Sequence, residues 1–186
     1  MVILLRHGAT LGNLEGRYVG RTDEPLSAEG RAALAALQFP PAALVYVSPM
    51  RRALETARLI YPCAPLTPVE GFRECDFGAF EYHNHAELEG DARYQAWIDS
   101  GGMSPFPGGE SREAFVRRTL RAFDALPAFP EHENTAIVAH GGTLMALLSE
   151  RALPRRDYFD WRVPSGSGYL CAFEQGVLRV VRPVCA

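Results

Sequence analysis

Val2-Ile3-Leu4-Leu5-Arg6-His7-Gly8 opens the chain and decides how the rest is read. Four apolar residues in a row, with no alternation, are the pattern of a short strand buried on both faces. The run ends at once on a guanidinium, an imidazole and a glycine. The same order returns at Thr135-Ala136-Ile137-Val138-Ala139, which runs into His140-Gly141-Gly142. Leu44–Val47 is another short buried run, ahead of Ser48-Pro49. Helical stretches separate the runs. Ser27 can N-cap a helix reaching about Gln38 before Pro40-Pro41, and Pro49 suits the first turn of a helix with its body at Met50–Ile60. Glu113–Leu126 reads as an amphipathic helix, and another follows Gly141-Gly142 to about Ala152. Tyr169–Glu174 and Val177–Val181 flank Gln175-Gly176 as a terminal hairpin. Strands alternating with helices predict an α/β fold with a mostly parallel sheet flanked by helices. In such sheets ligands bind beyond the carboxyl ends of strands, where both histidines fall.

The length of 186 residues suits one domain over 1–186. Residues 70–111 lack a clear period and read as a small insertion, a lid over the carboxyl ends of the strands. Hydrophobic residues at 47% and charged residues at 22% are ordinary for a globular protein. A net charge of −3 gives no reason to expect nucleic acid or an anionic membrane as partner. All 19 basic residues are arginine. The lack of lysine excludes Schiff-base chemistry, a P-loop lysine and a Ser–Lys dyad. Cys63, Cys75, Cys171 and Cys185 are scattered and form no CxxC pair, the usage of structural thiols. No apolar run approaches the ~20 residues of a membrane span, so a cytoplasmic location is expected. Oligomeric state is not legible.

Phosphoryl transfer without a metal needs a nucleophile, fixed positive charge around the phosphoryl oxygens and a proton for the leaving alkoxide. His7 can attack through one ring nitrogen if the other donates to a carbonyl. Arg6 supplies a forked cation, backbone amides at Gly8 and Gly141-Gly142 can add donors, and His140, if protonated, stabilises charge on the transferring group. Each residue alone is compatible with a structural role; two histidines ending two buried strands are not so easily set aside. His83-Asn84-His85 lacks a third metal ligand nearby, and Ser165-Gly166-Ser167-Gly168 lacks the first glycine of a nucleophile elbow.

Leu5-Arg6-His7-Gly8-Ala9-Thr10, with Asn13 following, resembles the signature of the histidine phosphatase superfamily, the phosphoglycerate mutase-like fold. Four more blocks agree in order: Gly20 to Gly30, Ser48-Pro49-Met50-Arg51-Arg52-Ala53 with Thr56-Ala57, Phe72-Arg73-Glu74-Cys75-Asp76-Phe77-Gly78, and Val138-Ala139-His140-Gly141-Gly142. The resemblance implies His7 as nucleophile and Arg6, Arg52 and His140 as a phosphate pocket, joined by Gly141. Arg52 rather than Arg51 aligns, because the family arginine directly precedes the alanine. Asn13 would contact phosphate or orient its loop. Glu74 would be the general acid, its pKa raised by burial, with Asp76 as the alternative. No cofactor or metal is implied. Ala9 and Tyr82 depart from the family pattern, the latter where glycine is common.

The family holds both mutases and phosphatases. Between Glu74 and Glu110 there are eight acids and one base, Arg93, a net −7. Acid over the site would repel a doubly phosphorylated substrate and favours a phosphatase. Phe77, Phe80, Tyr82, Tyr94, Trp97 and Phe106 lie in the same stretch, as core packing or as a surface for a flat leaving group. Pro107-Gly108-Gly109-Glu110-Ser111 and the compact insertion resemble the members that act on α-ribazole-5′-phosphate in cobalamin assembly. A small phosphorylated metabolite is the expected partner. A broad-specificity sugar phosphate or phosphoglycerate phosphatase, a mutase and a non-enzymatic phospholigand-binding module are the alternatives.

Overall fold

A computed structural model describes residues 1–130 and 132–185. Seven strands form one sheet: β1 (Val2–Arg6), β2 (Leu44–Val47), β3 (Leu66–Pro68), β4 (Thr135–Ala139), β5 (Ala152–Leu153), β6 (Gly168–Glu174) and β7 (Val177–Val184). Their order across the sheet is β3-β2-β4-β1-β6-β7-β5. β3, β2, β4 and β1 run parallel, β6 is antiparallel to β1, and β7 is antiparallel to β6. The described helices are α1 (Leu11–Leu14), α2 (Ala28–Ala35), α3 (Arg51–Ile60), α4 (Ala92–Asp99), α5 (Arg112–Asp124) and α6 (Gly141–Arg151).

The unbroken apolar runs of β1 and β4 follow from their central place, covered on both faces. Val2, Leu4, Ile137 and Ala139 face a core with Phe72, Phe123, Leu144, Leu147 and Trp161, beneath α5 and α6. Ile3, Leu5, Ala136 and Val138 face the other side, against Ala53, Ala57 and Tyr61 of α3. Segment 70–111 has short 3₁₀ turns at Glu70–Phe72 and Gly78–Phe80 besides α4. Its Phe80, Leu88, Tyr94 and Phe106 make a third cluster with Phe115 and Ala146.

Several boundaries move from their sequence expectations. β3 is absent from the sequence reading; three residues at a sheet edge among Pro62, Pro65 and Pro68 carry almost no strand signal. α2 ends at Ala35 and α5 at Asp124, each about a turn or less before the expected stop. Met50, not Pro49, is the residue before the first turn of α3. α6 yields at Ala152 to the two-residue β5, which pairs with Leu178 and Arg179. Gln175 (φ 51°) and Gly176 (φ 80°) turn the hairpin with both central residues left-handed, as the twist of its strands favours. Tyr82 has φ 62°, which explains why glycine is common at its position in the family. Its hydroxyl donates to Glu24 at 3.1 Å and its ring lies under Arg17.

Candidate active site

Sheet register brings the two histidines together. Arg6 of β1 pairs with Ala139 of β4, so the next residue on each strand is a histidine, and the His7 N–H donates to the Ala139 carbonyl at 2.9 Å. The rings stand edge to face with centroids 5.0 Å apart. His7 Nδ1 lies 2.7 Å from the Gly8 carbonyl. A carbonyl only accepts, so Nδ1 carries the proton and Nε2 keeps a lone pair. Burial, then Arg52 and Arg6, push the His7 pKa well below the ordinary imidazole value, against a smaller opposing pull from Gly8. A neutral imidazole with a fixed tautomer is a competent nucleophile.

Arg52 is buried completely and points Nε at His7 Nε2, 3.2 Å away. Its terminal nitrogens hold the carbonyls of Thr22 (2.8 Å), Gly20 (2.8 Å) and Val19 (3.2 Å), strapping the 19–22 loop across the site. Thr22 and Gly20 N–H groups in turn donate to Glu81 Oε1. Arg51, by contrast, faces solvent and pairs with Glu55 at 2.8 Å. Arg6 donates to the Val163 carbonyl at 2.8 Å, while its buried Nε has no partner among the described residues. His140 Nδ1 is likewise buried and unpartnered. Donors rarely stay unsatisfied in an interior, so these two nitrogens, on the residues next to His7 in the chain and across the sheet, are the groups with bonds left to give.

Three details differ from the sequence reading. The Gly8 N–H donates to Thr56 Oγ1 at 3.0 Å, and the Gly142 N–H to Glu74 Oε2 at 3.1 Å, so neither is free for an anion. Gly141 lines the cavity beside Arg6. His140 does not favour a proton: burial, then Arg52, His7 and Arg6, hold its pKa well below the ordinary value. Ser48 Oγ sits 2.7 Å from His140 Nε2; a hydroxyl donating there leaves a neutral ring with Nδ1–H directed elsewhere. Asn13 forms a capping box with Thr10, Oδ1 accepting from the Thr10 N–H at 3.3 Å, which orients the loop after His7.

Glu74 lies between the first 3₁₀ turn and the aromatic cluster. Cys75 N–H donates to Oε1 at 2.9 Å and Gly142 N–H to Oε2 at 3.1 Å. Burial raises its pKa above the ordinary carboxyl value, opposed by those two amides and by Arg52 and Arg6. Asp76 is spent elsewhere, accepting from Gly78 N–H and pairing with Arg21 at 3.2 Å. Gly142 has no room for a side chain, since a Cβ there would overlap the Glu74 carboxyl. Gly142→Ala therefore displaces Glu74, and we expect kcat on an alkyl phosphate to fall about 10²-fold, in line with misplacement by about 1 Å. An alanine variant within threefold of the parent in a coupled phosphate-release assay contradicts this.

A cavity of about 220 Å³ opens onto Arg6, Glu74, Gly141 and Gly142. Phe77, Trp97 and Phe106 wall one side, and Tyr18, Phe115 and Tyr158 enclose it further. Of the six aromatics singled out in the sequence, Phe80 and Tyr94 are instead buried in the third cluster. Glu74 is the cavity's one carboxylate; Arg6, Arg112 and Arg162 are its cations. Three acids of the 74–110 segment are held in ion pairs away from the cavity lining: Glu87 with Arg17, Asp91 with Arg93, Glu110 with Arg118. These pairs offset part of the segment's negative charge, while Glu110 and Asp76 still act on Cys75 in the cavity wall.

Two histidines side by side at the ends of parallel strands, with a buried arginine against one of them and a buried carboxyl nearby, make a site suited to phosphoryl transfer. Residues 2–185 match the histidine phosphatase superfamily (branch 1), and the chain belongs to that family as a phosphatase enzyme. It is 33% identical over 164 residues to 2,3-bisphosphoglycerate-dependent phosphoglycerate mutase 2 of Gloeobacter violaceus, covering 81% of this chain and 74% of that one. It is 30% identical over 175 residues to adenosylcobalamin/α-ribazole phosphatase of Escherichia coli, covering 88% and 85%. The α-ribazole phosphatase structure from Shigella flexneri superposes with a TM-score of 0.83 at 27% identity, covering 100% and 96%. Among the described residues no helix is long and apolar enough to cross a membrane.

Proposed function

We propose that the chain hydrolyses the phosphate monoester of a ribotide bearing a flat heteroaromatic base, α-ribazole-5′-phosphate, as a cytoplasmic enzyme of cobalamin assembly. His7 Nε2 attacks phosphorus as the P–O bond to the leaving oxygen breaks, and Glu74 gives its proton to that oxygen. Water then attacks phosphorus, Glu74 takes the water's proton, and the P–N bond breaks to restore neutral His7 and release phosphate. Arg6, Arg52 and His140 hold the phosphoryl oxygens, with Gly141 beside them and Asn13 ordering the loop.

The aromatic cavity beside Glu74 carries the substrate assignment, because Phe77, Trp97, Phe106 and Phe115 line it and suit a flat ring next to the carboxyl that would protonate the leaving oxygen. The named activity of the Escherichia coli relative supports it. We expect kcat/KM for α-ribazole-5′-phosphate to exceed that for simple sugar phosphates by about 10²-fold, the scale on which apolar contacts discriminate. Activity confined to sugar phosphates or 3-phosphoglycerate sinks the assignment. The second reading, a phosphoglycerate substrate, draws on Arg112 and Arg162, which would suit a carboxylate, and on the Gloeobacter relative; transfer of the phosphoryl group to a second phosphoglycerate, seen by product chromatography, decides for it.

A further inference from the structure

We infer that Arg118, seated by Glu110, is the positioning residue that fixes Glu74 for proton transfer. Glu74 stands in a stretch without regular secondary structure, between the turn at Glu70–Phe72 and the one at Gly78–Phe80. Such a segment does not hold a carboxyl in place by itself; an acid needs its geometry set by a supporting shell.

Arg118 lies on α5, a 13-residue helix with Ser111 capping its start. Its guanidinium donates from Nη1 to the carbonyls of Gly71 (3.0 Å) and Arg73 (2.9 Å), and from Nη2 to the carbonyl of Glu74 (3.2 Å). Nε and Nη2 also grip Glu110 in a fork, at 3.0 and 2.7 Å. Those five bonds match the five N–H donors that an arginine has. Glu110 completes the clamp from the other side: Oε2 accepts from the Asp76 N–H at 3.0 Å, and its own N–H donates to the Asp76 carbonyl at 2.9 Å. The backbone is thus held at 71, 73, 74 and 76, on both sides of Glu74. The face of the Phe115 ring packs under the guanidinium, with Cζ 4.9 Å from the ring centre. Both charged side chains are mostly buried, at 29% and 25% exposure, so solvent screens the pair less than a surface one. Lysine, a point charge with three donors, cannot reproduce a fork and three carbonyl contacts at once.

This inference rests on Glu74 being the proton donor, and the test separates the two. The readout is the ratio of kcat/KM for an alkyl phosphate to that for p-nitrophenyl phosphate, whose leaving group departs as an anion without a proton. Because kcat/KM stops at release of the alcohol, slow hydrolysis of phosphohistidine does not mask it. Arg118→Gln is expected to lower the ratio about tenfold or more, Arg118→Lys by nearly as much, and Glu110→Gln in the same direction by less. Glu110→Gln keeps the side chain's shape and serves if Arg118→Gln does not fold. Equal losses on both esters mean general loosening and overturn the inference, as does an unchanged ratio. If Glu74→Gln itself leaves the ratio unchanged, Glu74 is not the donor and both readings fall; if it lowers the ratio while the Arg118 and Glu110 variants do not, only the positioning role is lost.

Discussion

His7→Ala is expected to lower kcat/KM for every phosphate ester by roughly 10⁵-fold or more, the scale seen when a covalent nucleophile is removed. The substitution deletes the nucleophilic lone pair, while Arg52, Arg6 and His140, which the proposed mechanism sets against the phosphoryl oxygens, remain. Affinity for inorganic phosphate, measured by calorimetry, should accordingly change by only about threefold, because the lost imidazole nitrogen accepts a bond from Arg52 rather than donating one to phosphate. Acid-stable product and acid-labile enzyme-bound phosphate distinguish the routes. The parent, quenched in alkali during turnover, should carry phosphate on a histidine, and the variant none. Turnover indifferent to His7 would remove the covalent step from the mechanism.

What the chain disclosed in advance divides along the range of the interactions concerned. β1 and β4 were legible because burial on both faces writes itself into consecutive residues, and their register then places His7 beside His140 without further information. Arg52 was legible through its motif, although its work, strapping three carbonyls of the 19–22 loop, is not written at its own position. The cavity was not legible. Tyr18, Phe115 and Tyr158 come from separate parts of the chain and meet only through packing, so no local spacing announces them. Protonation misled for a related reason. A histidine beside an anion site invites a charged reading, yet complete burial next to two arginines favours the neutral ring. Counting charge along 74–110 could not show which acids are balanced from outside the segment, as Glu87 is by Arg17 and Glu110 by Arg118. Ser48 and Thr56 stood within a recognised motif but had no visible task until their hydroxyls were seen against His140 and the Gly8 amide.

Glu74→Gln should reduce kcat/KM for an alkyl phosphate by about 10²- to 10⁴-fold while reducing that for p-nitrophenyl phosphate far less, because a positioned general acid contributes on that scale only when the leaving oxygen needs its proton. Glutamine is not a silent replacement. Both carboxyl oxygens accept backbone N–H bonds, from Cys75 and Gly142, and an amide must turn its NH₂ toward one of those donors. The cost is on the order of 1–3 kcal/mol for one unsatisfied group, so Glu74→Ala should be run beside it and is expected to show the same dependence on the leaving group. The pH profile gives a second, independent reading. The first chemical step needs His7 without a proton on Nε2 and Glu74 with one. His7 is shifted down, so protonation removes activity only below the ordinary imidazole range, where the second ionisation of the ester, near about 6, also contributes. Glu74 is shifted up by burial, so its proton persists above the ordinary carboxyl range and activity on alkyl esters falls as pH climbs through that raised value. Glutamine cannot lose that proton; the alkaline fall should vanish in the variant, and should be weak in the parent with p-nitrophenyl phosphate. An alkaline limb that survives unchanged in Glu74→Gln assigns the proton to another group, and since Asp76 is held by Arg21 and the Gly78 amide, the search would move to a water bound by the substrate.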